Sequence, residues 1–203
     1  IAGELKRLMA GAAALPILHQ ASTMGIDQIL FGTSFSVEIL VHPALGRLWE
    51  DLSFVQRLAC CLPIGKRAKA GKLLKLSRAE LRFLSSADQP MDRILVAGLL
   101  GPHWARSAYH LGDVGFLYAL QAACCDKAAN WTTACPKKFT DQLSDQLRKI
   151  VFFQPPNCPV SGRDVEQQLG LSGPAVGACL DQIRRLWAET EFTATKIQLL
   201  AHA

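Results

Sequence analysis

The chain has 203 residues, 50% of them hydrophobic and 19% charged, with a net charge of +5. That composition is globular, which excludes a disordered chain and leaves room for one large domain or two small ones around a real core. Unbroken apolar or glycine runs such as Ile94 to Gly101 fall far short of the roughly 20 residues a membrane-spanning helix needs, and no signal-peptide pattern opens the chain.

Strand signals are weak and helix signals frequent, so the expected fold is all-α and multi-helical. Residues 1 to 11 read as an amphipathic helix with Ile1, Leu5, Leu8 and Met9 on one face. No initiator methionine or capping residue precedes it, as expected of a chain cut or processed from something longer. Leu15 to Met24 is a second helix, with Leu15, Leu18 and Ala21 spaced three apart and Gly25 as a stop. Pro43 to Leu52 suits a helix with proline in its first turn, and Ser53 to Leu62 follows until Pro63-Ile64-Gly65 breaks it. Ser77-Arg-Ala-Glu80 is a capping box that starts a helix with Leu81 and Leu84 turned inward. Asp92 to Leu100 is apolar enough to predict burial on most sides. Pro102 opens a helix that Gly112 ends, and Asp113 to Cys125 is the next. Asn130 to Pro136 is a polar, threonine-rich break and the expected boundary between residues 1–129 and 130–203, before a further helix over Phe139 to Ile150. Val151 to Pro159 holds three prolines in nine residues, which remove amide donors and keep the backbone extended; it reads as a linker held down by Phe152 and Phe153.

Charge is unevenly spread. Lys66, Arg67, Lys69, Lys72, Lys75, Arg78 and Arg82 fall within one short stretch that has a single acid, Glu80. Such a patch fits a phosphate backbone, and equally a solvated helix face. The seven cysteines (60, 61, 124, 125, 135, 158 and 179) are odd in number and form no CxxC, and the five histidines are scattered. Free thiols in a reducing cytosol, mostly acting as small core hydrophobes, are therefore expected rather than disulfides or a metal site, and the expected compartment is the cytoplasm.

From Pro159 the pattern is two helices joined by a tight hairpin. Ser161 caps the first, Asp164 and Glu166 suit its positive end, and Gly170 stops it. Ser172 is the expected cap of the second, whose N-terminus is Gly173-Pro174, with Gly177 one turn on and Val176, Leu180, Ile183 and Trp187 running down a core face. A glycine-lined helix N-terminus seats phosphate without reading bases. The same glycines also suit close helix–helix packing. Arg184 and Arg185 either extend a basic surface or are solvated.

The pattern Pro159-x-x-Gly162-Arg163-Asp164, then Gly170-Leu171, then Gly173-Pro174-x-x-Gly177-x-x-Leu180, resembles the carboxy-terminal region of bacterial CCA-adding tRNA nucleotidyltransferases and poly(A) polymerases. Phe192 to Leu200 is similar to that family's last helix. Glu4 to Ile26 and Leu58 to Ser77 are similar, at the level of pattern, to its neck-to-body transition and its body. Gln167-Gln168-Leu169 is one residue longer than the usual spacing before Gly170. The resemblance implies a helical neck end and body over residues 1–129 and a helical tail over 130–203, with a helix–hairpin–helix-like element near the end. It implies a tRNA partner held by its acceptor and T arms, and an N-terminal catalytic head in the intact protein. The Gly-Ser…Asp-x-Asp motif of that head and the acidic-Asp-x-x-Arg selector of the neck do not occur in this sequence. The expected catalytic residues, and the Mg2+ they hold, therefore belong to the head and not to this chain. The RNA-binding set implied here is Lys66, Arg67, Lys69, Lys72, Lys75, Arg163, Gly173, Pro174 and Gly177. Two other classes fit the same residues: a helix–hairpin–helix DNA-binding module, for which Leu169 to Gly177 is the hairpin, and a helical protein-interaction domain, for which the basic run is ordinary surface.

Overall fold

A computed structural model of the chain describes residues 1–90, 92–125 and 137–202, and every regular element in them is helical. In order these are α1 (Ala2–Ala10), α2 (Ala14–Thr23), α3 (Ile26–Phe31), α4 (Val37–Leu40), α5 (Pro43–Leu48), α6 (Phe54–Cys61), α7 (Arg67–Leu73), α8 (Arg78–Ala87), α9 (Arg93–Leu99), α10 (Trp104–Leu111), α11 (Gly115–Cys125), α12 (Lys137–Val151), α13 (Gly162–Leu169), α14 (Pro174–Glu189) and α15 (Lys196–Ala201). Short 3-10 turns at Trp49–Asp51 and Gly112–Val114 extend α5 and lead into α11.

Local chemistry sets many of the helix starts. Ser53, Ser77, Ser161 and Thr195 each form a reciprocal box with the residue three positions on, namely Gln56, Glu80, Asp164 and Gln198. Each box satisfies first-turn amides that have no intrahelical partner. Asp92 caps α9 by accepting from the amides of Ile94 and Leu95.

Buried side chains fall into two apolar clusters. The larger joins α1 to α12 and includes Met9, Leu45, Leu58, Leu84, Leu117 and Leu147. Fully burying such a side chain contributes roughly 1.5–3 kcal/mol. Several polar groups inside this lobe are tied into hydrogen bonds that reach the backbone. Trp49 Nε1 donates to Met9 O at 2.9 Å and Arg57 Nη1 to the same oxygen at 2.8 Å, which closes the C-terminal end of α1. The carboxylate of buried Asp27 accepts from Ser22 Oγ and from the amides of Phe35 and Gln28. Burial pushes the Asp27 carboxyl up, but these donors outweigh it and hold the group below the usual carboxylate range.

The smaller cluster comprises Val160, Val165, Val176, Cys179, Ile183, Trp187, Leu199 and Leu200, all from α13, α14, α15 and the residues just before them. The expected break at Asn130–Pro136 lies outside the described residues, and the apolar clusters divide further along. Leu143, Leu147 and Ile150 form one stripe of α12 and belong to the first core. That helix is fixed on α5 by the Arg47–Asp141 pair and by Arg148 Nε at 2.7 Å from Asp51 Oδ2. The proline-rich stretch after α12 separates the lobes. It is not helical from Phe153 to Ser161, and Phe153 anchors it while Phe152 is exposed. A second difference concerns α9. Among its described side chains only Val96 and Leu99 are buried, whereas Ile94 is 84% exposed, so the helix is one-sided despite its apolar sequence.

Candidate nucleic-acid interface

The basic stretch is carried by α7 and α8. Before α7, Gly65 turns with φ +82°, and the Asp88 carboxylate accepts from the amides of Gly65 (2.8 Å), Arg67 (3.2 Å) and Ala68 (2.8 Å). Asp88 therefore occupies the positive pole of α7, so that helix end is closed to an external anion. Gly71 brings α7 against α8. A Cβ there would lie 2.7 Å from Leu84 Cδ1 and 2.9 Å from Leu81 Cδ2. No local sequence signal marks either role, because each depends on residues ten or more positions away.

Arg67 departs from the sequence-based set. It is fully buried, with Nε donating to Ala59 O and Leu62 O at 3.0 Å each and Nη1 donating to Ala87 O. These carbonyls close the ends of α6 and α8, so Arg67 is a core hub and not a surface cation. Burial lowers its pKa, against the opposing influence of Cys60, Asp88 and Tyr118. The neighbouring Cys60 thiol is pushed up to about 12 by burial, which leaves it a small hydrophobe.

Lys66, Lys69, Lys72 and Lys75 are all exposed, together with Arg78 and Arg82. Among the described residues none of these six cations pairs with a carboxylate. Glu80, the acid of the stretch, is engaged by the Ser77 cap and lies 3.5 Å from Lys6. Several other surface bases are neutralised, as in Arg47–Asp141, Arg106–Glu189 and Lys196–Asp164, whereas exposed Lys149, Arg163 and Arg185 have no carboxylate partner among the described residues. Lys75 carries a further mark. Leu76 N–H donates to Gly71 O and Lys75 N–H to Lys72 O, both at 3.1 Å, a Schellman ending that puts Lys75 at φ +53°. Glycine is the usual occupant of that position, because a Cβ there is strained.

The second group lies in the other lobe. Ser161 and Asp164 cap α13, and Lys196 of α15 reaches Asp164 Oδ1 at 2.5 Å. The Lys196 contact, with the Ser161 amide and hydroxyl, holds the Asp164 carboxyl down to about 2. Arg163, beside it, is exposed. Gly170 ends α13 in the left-handed region at φ +67°. The start of α14 differs from expectation by one residue: Gly173 (φ +60°, ψ −137°) is the N-cap, not Ser172, and no side chain caps this end. Pro174 follows in the first turn. Gly177 is exposed, and a Cβ built on it meets nothing within 4 Å. Its missing side chain is therefore not required by packing among the described residues. Val176, Ile183 and Trp187 are buried as expected, with Leu180 half-buried.

The two groups are not brought into one site. The main neighbour of α7 is α8, while α14 packs on α10, α13 and α15. Among the described residues no three of His, Cys, Asp or Glu are grouped to hold a metal ion. Comparison with protein-family models, with curated proteins and with solved structures returns no match to this chain.

Proposed function

We propose that this chain grips tRNA by the sugar–phosphate backbone of its acceptor and T arms, as the body and tail of a CCA-adding nucleotidyltransferase or poly(A) polymerase-like enzyme whose catalytic head lies outside the sequence. The observation that carries the reading is the row of exposed cations Lys66, Lys69, Lys72, Lys75, Arg78 and Arg82 without a carboxylate partner, while most other bases among the described residues, such as Arg47, Arg106, Arg148 and Lys196, sit against one. The start of α14, which no side chain caps, adds a second seat where the positive end of the helix can meet phosphate, although Pro174 has no amide to give and Val176 N–H is taken by Gly173 O at 3.2 Å, and Gly177 leaves the approach clear. In this reading α13 and α14 form the helix–hairpin–helix-like element of the tail. A-form RNA offers shape and phosphates rather than readable base edges, which suits a partner class as broad as all tRNAs.

The test compares binding of tRNA, a tRNA lacking its elbow and duplex DNA over a range of salt. The expected order is intact tRNA tightest, with affinity falling steeply with salt. Equal or tighter binding of duplex DNA would favour the helix–hairpin–helix DNA module instead. No binding to any of the three at low salt would favour a protein-interaction domain and remove the RNA reading.

A further inference from the structure

The end of α14 is built in an unusual way. Phe192 N–H donates to Trp187 O at 2.9 Å and Glu191 N–H to Ala188 O at 3.0 Å, a second Schellman ending. Glu191 at φ +52° occupies the position glycine usually takes, and Phe192 follows at φ +63°. Two successive left-handed residues with side chains persist only where their surroundings over-determine them.

Both side chains are used across the lobe boundary. Glu191 pairs with His103 at the start of α10. The Phe192 ring sits edge-on to Tyr109 of α10 at 5.7 Å and against Phe153 of the inter-lobe stretch at 6.0 Å, while packing on Trp187 of its own lobe at 5.0 Å. Phe153 in turn meets Trp104 at 5.4 Å. Just before the turn, Glu189 pairs with Arg106 and places Oε1 3.2 Å from His110 Nε2. Among the described residues every contact between the lobes that joins a carboxylate to a basic side chain runs from the end of α14 to a residue on or next to α10. Beside this edge the lobes part around a cleft of about 710 Å³, lined by Ile94 and Tyr109 on one side and Asp181, Arg184 and Arg185 on the other. The lobes are thus joined along one edge and separated along the next.

The geometry points to a latch: Glu189, Glu191 and Phe192 hold the second lobe against α10, and without them the lobe swings open about the proline-rich stretch while both cores stay folded. The backbone is held in a conformation its residues disfavour, and the return is contact with the other lobe, so the turn has a relaxed alternative once that contact is lost. The Arg106–Glu189 pair at the rim is exposed, so rising salt weakens it. This inference is independent of the RNA reading.

Amide hydrogen exchange on the intact chain, with no ligand added, tests it. Glu189→Gln with Glu191→Gln touches neither core, because both carboxylates are exposed. The expected result is exchange about ten-fold faster or more at Thr190–Ala194 and along α10, with protection unchanged at Val165, Ile183 and α11, and a larger radius of gyration by X-ray scattering. Phe192→Ala should give the same pattern more strongly. Glu191→Gly separates strain from pairing, since it relieves the backbone but removes the partner of His103. Faster junction exchange in that variant is expected, and slower exchange would show that the carboxylate holds nothing. Unchanged exchange at the junction in the double variant, or a uniform rise through both cores, would overturn the latch.

Discussion

Arg67 shows how burial reverses what a residue type suggests. A guanidinium in a basic run reads as a phosphate contact, yet this one is fully buried and donates to three carbonyls of α6 and α8 and the turns that follow them. Removing it leaves those acceptors without a donor, and each buried unsatisfied carbonyl costs about 1–3 kcal/mol. Arg67→Ala should therefore destabilise the first lobe by at least about 3 kcal/mol, read as a lower urea midpoint. Arg67→Lys should recover only part of the loss, since one ammonium cannot reproduce the planar fork that reaches carbonyls on both sides. Lys69→Ala, two residues away, should leave the midpoint within about 0.5 kcal/mol of the parent. A Lys69 variant as damaging as the Arg67 variant would place Lys69 in the core rather than on the surface. His42 and Asp27 are likewise buried polar residues whose role depends on neighbours and not on type. Asp27 is held charged by Ser22, Phe35 and Gln28.

At the scale of the element, what was legible in sequence was what local chemistry decides. The Ser77–Glu80 box and the ends at Gly112 and Gly170 lie within a few residues of the features that signal them, and they fall where expected. Short helices such as α3 and α4 were not visible, because four to six residues do not complete a readable apolar period. The ending of α7 was hidden for another reason: Leu74-Lys75-Leu76 holds no glycine to announce a left-handed residue. That ending yields a trade-off. Lys75→Gly removes the strain and should raise stability by about 1 kcal/mol, seen as a higher thermal midpoint. The same change should lower RNA affinity and flatten the log–log salt dependence by roughly 0.7–0.9, the share of one phosphate contact. Gain in stability without loss of binding would take Lys75 out of the interface. The α13 start gives a pH prediction. Asp164 is held down to about 2 by Lys196 and Ser161. A carboxyl whose pKa is depressed on folding stabilises the native state above its ordinary value, and that contribution disappears as pH falls through the native value. The second lobe should accordingly lose stability between about pH 4 and about pH 2, and Asp164→Asn should remove that part of the acid dependence as measured by tryptophan fluorescence of Trp187.

For the whole molecule, charge divides with the cores. Residues 154–203 hold four bases, Arg163, Arg184, Arg185 and Lys196, against five acids, Asp164, Glu166, Asp181, Glu189 and Glu191. The net positive charge of the chain therefore resides in the first lobe. The second offers instead an uncapped helix start and an open approach at Gly177. If the two lobes hold one RNA as proposed, they do so by different physics and should respond differently to substitution. Counterion release belongs to side-chain cations, so Lys66→Ala, Lys69→Ala and Lys72→Ala together should lower the salt slope by roughly two to three, at about 0.7–0.9 for each lost contact. Gly177→Leu fills the approach to the α14 amides without changing any charge, at an exposed position where a Cβ meets nothing within 4 Å. It should weaken binding while leaving slope and folding midpoint close to the parent's. Combining the two sets should add their effects in log affinity, because sites in separate cores share no contacts that would couple them. Titrating the parent, the triple lysine variant, Gly177→Leu and the combination against the same tRNA over a salt series decides the matter. If Gly177→Leu changed neither affinity nor slope, the second lobe would not touch the RNA, and the grip would belong to α7 and α8 alone.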